Sequence, residues 1–302
     1  MTVAAATAPG RGHSTRRQVV LFGFLAVIVL VAWEAVKFLG GVPWRFPNAM
    51  GLGIDIFHTP PFRWSFANDL NLPHWFNILG VLGQPVQRGT EESLGSFLAG
   101  AAFYTWRAAA IGFVVGALLG LVLATIFVHS RLAERAFVPY VVASQTIPIV
   151  ALAPMVVYAF GPSVASVVII ATYLTFFPVT IAMIRGLRSP DPRAIELMRS
   201  YASSAWDVYR KVRLPASLPY LFTALKIAAT ASIVGAIIGE GPGGIPDGLG
   251  RAIINFNQAY ITSPEKLWGA ILVSSLLGIS FFVLIRVLEM LVLRGRAAVS
   301  EL

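Results

Sequence analysis

Long apolar runs limit this chain more than any other feature. Residues 18–39, 108–128, 136–160, 163–184, 220–239 and 267–293 are dominated by Leu, Ile, Val, Ala and Phe, and each is long enough to cross a hydrocarbon layer of roughly 30 Å as a helix of about 20 residues. With 57% hydrophobic and 12% charged residues, the chain has too little polar surface to cover a water-soluble globule. The predicted fold class is therefore an all-α polytopic membrane protein with about six transmembrane helices.

An even number of crossings puts both termini on one side, and the basic residues say which. Arg11, Arg16 and Arg17 precede the first run, Arg131 and Arg135 lie between the second and third, and Arg294 and Arg296 follow the sixth. Between the fourth and fifth stand Arg185, Arg188, Arg193, Arg199, Arg210, Lys211 and Arg213. The other side keeps Arg45, Arg63, Arg88, Arg251 and Lys266, with Lys37 and Arg107 at the interface. Positive residues are retained in the cytoplasm, which predicts cytoplasmic N- and C-termini in a multi-pass plasma (inner) membrane protein. The same asymmetry, together with anionic headgroups, accounts for the formal charge of +9, so no nucleic-acid partner is needed.

The chain divides into a cytoplasmic tail (1–17), a first transmembrane helix (18–40), an outer segment (41–105), a core (106–293) with a basic loop at 185–219, and a second tail (294–302). Arg16-Arg17 resembles a twin-arginine signal, but no small-residue cleavage site follows, so an uncleaved first span is expected. The outer segment is rich in Pro, Trp, Phe and Asn; it predicts short helices on the membrane surface, with Trp44, Trp64 and Trp75 at headgroup level. The residues 91–106 are expected to form an amphipathic elbow. Gly112, Gly116 and Gly120 recur every fourth residue, a face on which another helix can approach closely, either within one subunit or across a dimer.

Several chemistries are excluded. There is no cysteine for a disulfide or thiolate site. None of the lysines follows a glycine, so no phosphate-binding P-loop is present, and the chain itself is not expected to be an ATPase or other enzyme. His13, His58, His74 and His129 are scattered, no His-x-x-x-His pair exists, and neither a metal site nor a cofactor is expected. Gly239 to Gly244 matches a dinucleotide pattern in letters only, since it follows an apolar helix and contains Pro242. The second, third and fourth runs hold no Asp, Glu, Lys or Arg, and no proton relay is visible. Of the charges near the other spans, Lys226 and Arg286 can snorkel, Arg286 can meet Glu289, and Glu34 can meet Lys37. An ion-coupled carrier is therefore not indicated.

The basic loop carries its own helix signals. Asp191-Pro192 starts a short helix, with Asp as cap and Pro at its first position. Ser203-Ser204 restarts a second helix, which Leu214-Pro215 is expected to end before the fifth span. A short helix projecting from a membrane bundle can seat in a partner and transmit its motion.

From Glu196 to Pro215 this loop resembles the EAA loop of permease subunits of bacterial ATP-binding-cassette (ABC) importers: Glu-Ala-Ala, a Gly six positions after the Glu, then aliphatic-x-Leu-Pro. Glu196, Val212, Leu214 and Pro215 fall on that spacing. Leu197 and Met198 stand where the family prefers Ala, and Ala202 where it prefers Gly, whose turn Ala disfavours. The order of elements from Trp106 to Leu293 is similar to the nitrate/sulfonate/taurine class of these permeases. The long outer segment and Glu196-Leu-Met-Arg-Ser-Tyr201 look more like a riboflavin or pyrimidine-precursor branch.

The resemblance implies a pair of permeases (a homodimer or heterodimer), ABC ATPase subunits docked beneath and an external solute-binding protein. It implies ATPase coupling through Glu196, Arg199, Tyr201, Ala202, Leu214 and Pro215, with Arg193 and Trp206 as supports. Ser144, Gln145, Thr146, Thr172, Thr175, Thr230 and Ser232 are the polar groups at membrane depth and the candidates for a translocation path. Each can instead bond its own helix. Glu240, Asp247 and Arg251 are candidates for an outer mouth. An ATP-independent channel or facilitator is the alternative, which leaves the loop unexplained. A third reading, an intramembrane enzyme, lacks any acid, base or metal constellation in the spans.

Overall fold

The structure is a computed structural model that describes residues 11–49, 54–87, 89–241, 245 and 247–293; Arg88, Pro242 to Gly244 and both terminal tails lie outside the described residues. The chain falls into two compact units, residues 1–83 with 259–266, and residues 84–258 with 267–302.

In the first unit, helix α1 (Arg11–Gly40) includes a stretch, Val20–Gly40, that is long and apolar enough to cross a membrane. Its charged end residues tie down the segment that follows. Lys37 is fully buried and pairs with Asp69. Glu34 binds His74 at 2.8 Å and accepts a hydrogen bond from the Trp75 backbone N–H at 3.2 Å. Glu34 and Lys37 thus serve partners forty and thirty-two positions on rather than one another. Trp33 adds a bond to the Pro73 carbonyl at 2.9 Å. Burying a lysine is tolerable only when it is paired, and removing Asp69 would leave an uncompensated charge.

The segment after α1 departs from its expected form. An antiparallel hairpin, β1 (Trp44–Ala49) and β2 (Ile54–His58), pairs Trp44 with His58 and Phe46 with Ile56. Aromatic and β-branched residues favour a strand, and Pro47 is tolerated because a two-stranded sheet consists of edges. A short helix, α2 (Trp75–Gly80), follows. Trp64 lies against Gly40, where a Cβ would come within 2.1 Å of its ring. Trp44 is half-buried and packs on His58 and His74.

The second unit is a helical bundle. Helix α3 (Leu94–His129) is one unbroken rod of 36 residues that absorbs the expected elbow, and Ser93 caps its start by accepting from the Ser96 N–H. The third apolar run is not one rod. It forms α4 (Arg131–Ser144) and α5 (Ile149–Phe160), bent by 98°. Pro148 supplies no N–H and disfavours helical geometry at Ile147, so the chain breaks between the two. Among the described residues of the whole chain, five helices are long and apolar enough to span, or six if the bent pair counts as one crossing.

Helix α6 (Val164–Leu187) matches the fourth run and passes through Pro178 without a break. Then come α7 (Pro192–Ser200), α8 (Ala205–Val208), α9 (Leu214–Glu240), α10 (Leu249–Gln258) and α11 (Pro264–Leu293). Glu289 of α11 binds Lys226 of α9 at 2.7 Å, not Arg286 on its own helix.

Helix α6 is the centre of this unit because small residues let α3 and α9 come against it. A Cβ on Gly112 would lie 2.5 Å from the Ala171 Cβ, on Gly116 2.6 Å from the Thr175 Cβ, and on Gly120 2.7 Å from the Phe176 carbonyl oxygen. On the other side a Cβ on Gly235 would lie 3.0 Å from the Ala171 Cα. The glycine stripe is thus an internal packing surface. Gly116→Val should lower the detergent-solubilised melting temperature by an amount equivalent to about 1–3 kcal/mol of overpacking. Gly100→Ala, on the same helix with nothing within 4 Å, should be neutral or raise it by about 0.5–1 kcal/mol.

Candidate functional site

The basic loop between α6 and α9 is an ordered helical hairpin. Asp191 accepts from the Arg193 N–H at 2.8 Å and Pro192 occupies the first turn of α7. On α7 the half-buried Ala194, Ile195 and Met198 face inward, and Glu196, Leu197 and Arg199 are exposed. Glu196 and Arg199 form no ion pair among the described residues. Leu197 and Tyr201 are 58% and 75% exposed, an apolar and aromatic surface beside free charges.

Ala202 ends α7 with φ +51°, and it is the only non-glycine with positive φ among the described residues. Its N–H reaches the Arg199 carbonyl at 2.9 Å and the Ser203 N–H reaches Met198 at 3.1 Å, the paired closure of a Schellman turn. The left-handed turn that a glycine would make easily is therefore made by alanine, under strain.

The return half is fastened to the bundle. Ser204 accepts from the Asp207 N–H at 3.1 Å and donates to its carboxylate at 2.6 Å, while Lys211 binds the same carboxylate at 2.7 Å. The Trp206 ring stacks on Tyr209, whose hydroxyl shares a 3.0 Å hydrogen bond with Thr125 and whose ring packs edge-on against His129. Leu214-Pro215 does not end the helix. Pro215 has no N–H, and the preceding turn widens so that the Leu214 N–H reaches back to Tyr209, five residues away. Helix α9 then continues from Leu214 without a gap.

The polar groups at membrane depth are more dispersed. Ser144 donates to Val141 and Thr230 to Ile227 along their own helices, and Thr146, in the turn after α4, donates back to Ala143. Gln145 is half-buried, and Thr172 donates across to the Gly112 carbonyl at 3.3 Å. Thr175 and Ser232 are fully buried and bond to Ala171 and Ala229. Both hydroxyls are thus spent on their own helices, away from any open surface. Ser144, Gln145 and Thr146 do converge, at the α4–α5 break, where Tyr173 donates to the Ser144 carbonyl.

Glu240 was expected at an outer mouth, but it is fully buried. Its Oε2 accepts from Thr105 and from the Gly250 N–H, both at 2.9 Å, and the Thr105 hydroxyl accepts from the Leu249 N–H at 2.9 Å. This carboxylate stitches α3, α9 and α10 together. Gly248, at φ +102°, and Gly250 leave the room it needs; a Cβ on Gly248 would sit 2.4 Å from the carboxyl carbon. Thr105 had no distinguishing pattern in the sequence. Asp247 alone of the three is exposed, lining a cavity of about 380 Å³ with Tyr104 and Arg107, while Arg251 is half-buried.

Residues 116–294 match the family model described as the binding-protein-dependent transport system inner membrane component. The chain belongs to this family. It is an inner-membrane permease subunit of an ABC importer. The formylaminopyrimidine transport permease ThiX of Halalkalibacterium halodurans is 35% identical over 190 residues, 62% of this chain and 73% of that protein. The riboflavin transport permease RibX of Chloroflexus aurantiacus is 33% identical over 170 residues, 56% and 62% of the two chains. A putative aliphatic sulfonate permease, SsuC of Bacillus subtilis, is 27% identical over 188 residues, 62% and 67%. A crystal structure of an amino acid ABC transporter with histidines covers 65% of this chain and 94% of its own at a TM-score of 0.51 and 17% identity, a likeness of fold.

Within this permease, Arg188 follows α6 and binds Glu134 through both guanidinium nitrogens at 2.8 and 2.6 Å. The Glu134 hydrogen bond holds its guanidinium above the usual arginine range, so this link stays ionic at any physiological pH. Two substitutions test the local physics. Ala202→Gly should relieve about 1 kcal/mol of left-handed strain and slow hydrogen exchange at amides 199–204 about fivefold. Glu240→Ala should strip partners from Thr105 and Gly250 and cost about 1–3 kcal/mol in thermal or denaturant stability.

Proposed function

We propose that this permease forms, with a second permease copy or homologue, the path of an importer whose energy comes from a separate ATPase seated on α7. The observation that carries this reading is the pairing of an exposed, unpartnered face on α7 with a rigid return limb. Glu196, Arg199 and Tyr201 supply the contact, and Leu214 and Pro215 shape the turn behind it. Trp206, Tyr209 and Thr125 give the load a route into the bundle. Arg193 flanks the contact at the exposed start of α7.

Motion then follows rigid-body logic. ATP binding draws the two ATPases together, the short helices follow, and α9 rocks with them because α8, the widened turn and α9 are consecutive helical elements. The break at Ser144–Pro148 gives a second place for movement and gathers polar groups, so Ser144, Gln145 and Thr146 are assigned to the path with Thr172 and Thr230. An external binding protein delivers the solute to the opposite face, where Asp247 and Arg251 are placed. The termini and the α7 loop lie in the cytoplasm, a reading supported by the excess of arginine and lysine around them.

The solute is small and organic. A heteroaromatic nitrogen compound is favoured by the names of ThiX and RibX and by a path without charged groups.

Glu196→Arg should abolish most transport and transport-coupled ATP hydrolysis while leaving membrane insertion and melting temperature unchanged. Full uptake by that variant would remove Glu196 from the coupling surface. Uptake that survives ATP depletion would instead favour a facilitator.

A further inference from the structure

A strongly basic cavity remains that transport does not use. It has a volume of about 400 Å³ where the ends of α3 and α6 meet the start of α4, and Arg131, Arg135, Arg188 and Arg213 line it with a single carboxylate, Glu134. That carboxylate is consumed by Arg188 in the bidentate pair. Arg213 reaches the Leu187 carbonyl only at 3.5 Å. Arg131 and Arg135 are exposed and form no ion pair among the described residues. Three guanidinium groups therefore converge without a matching anion.

The depth of the cavity limits what the anion is. Apolar helices α3 and α6 end beside it, at His129 and Leu187, with the arginines just past their last turns, the position at which basic side chains of a membrane protein meet headgroups. A second groove, also about 400 Å³ and lined chiefly by apolar and aromatic side chains, runs along the adjoining faces of the same helices past Phe127, Ala133, Phe137 and Tyr140 to Ser144. Phe127 and Val128 are chain neighbours divided between the two spaces, as are Ala133 and Glu134. From Ala133 to Ser144 the groove extends about 16 Å along α4.

We propose that these two spaces form one binding site for an anionic phospholipid. Arg131, Arg135 and Arg213 hold the phosphate, and an acyl chain lies in the apolar groove. Guanidinium forks match phosphate oxygens in pairs, and basic clusters at a helix end draw anionic headgroups from the cytoplasmic leaflet. A free phosphate would have no use for the apolar extension. Ile195 of α7 lines the headgroup space as well, so a bound lipid props the coupling helix from behind. That second consequence rests on the assignment of α7 given above; the lipid site does not.

The test uses the assembled transporter in mild detergent, followed by native mass spectrometry and thermal melting. Phosphatidylglycerol, phosphatidylcholine of the same chains, and glycerol 3-phosphate are titrated separately. Phosphatidylglycerol should be retained and raise the melting temperature, with the other two far weaker. Arg131→Gln with Arg135→Gln should weaken phosphatidylglycerol binding by about tenfold to thirtyfold without changing the lipid-free melting temperature. Equal binding of the two lipids, undiminished binding by the double variant, or an equal response to glycerol 3-phosphate overturns the proposal. So does an assembled transporter that takes up no lipid because a second permease fills the groove. Lipid binding without any change in ATP hydrolysis would overturn only the propping of α7.

Discussion

The second unit depends on how closely three helices approach one another. Between apolar helices in lipid, water provides no hydrophobic drive, so association rests on van der Waals contact and short polar links. Helix α6 receives α3 along Gly112, Gly116 and Gly120, and α9 at Gly235 and Gly239, where the third glycine meets the Phe176 backbone and the fourth the Ala171 Cα. Close backbone contact brings Thr172 within reach of the Gly112 carbonyl. Larger residues on this stripe would move the helices apart and take with them the ends that carry the loop and Glu240.

The basic loop between α6 and α9, proposed above as the coupling surface, uses a different device. A contact surface transmits force only if it is stiff, yet a loop outside the bundle lacks a core. Here stiffness comes from caps at both helix starts, an ion pair from Lys211 to Asp207 and the Trp206–Tyr209 stack bonded to Thr125. Pro215 would break a regular helix. The widened turn from Tyr209 to Arg213 lets the helix accommodate it, and the rod continues into the membrane.

Periodicity and charge made most of the architecture legible. Apolar length identified the spans, Asp191-Pro192 identified the start of α7, and the glycine spacing identified a close-packed face. What stayed hidden depends on contacts distant in sequence. Glu240 reads as a charge at a helix end; only its neighbours Thr105 and Gly250 turn it into a buried tie. Lys226 and Glu289 are 63 positions apart, and no local rule joins them. Pro148 was visible, but whether a proline bends a span or divides it is set by packing around the break. In the outer segment short helix forms at α2, but over 44–58 aromatic and β-branched residues pair as strands instead.

Polar groups in this bundle are few, and their placement separates fastening from transport. Glu240, through Oε2, and the Lys226–Glu289 pair join elements of the bundle. An ion-driven carrier needs a titrating group that alternates between two sides, with its partners exchanged during the cycle. Glu240 instead is buried, with Oε2 held by the Thr105 hydroxyl and the Gly250 backbone N–H. Helices α3 and α6 carry no acid across their apolar centres. A path of the kind proposed above, through Ser144, Gln145, Thr146, Thr172 and Thr230, offers hydroxyl and amide groups and no fixed charge, so under that proposal the energy enters through a partner on α7.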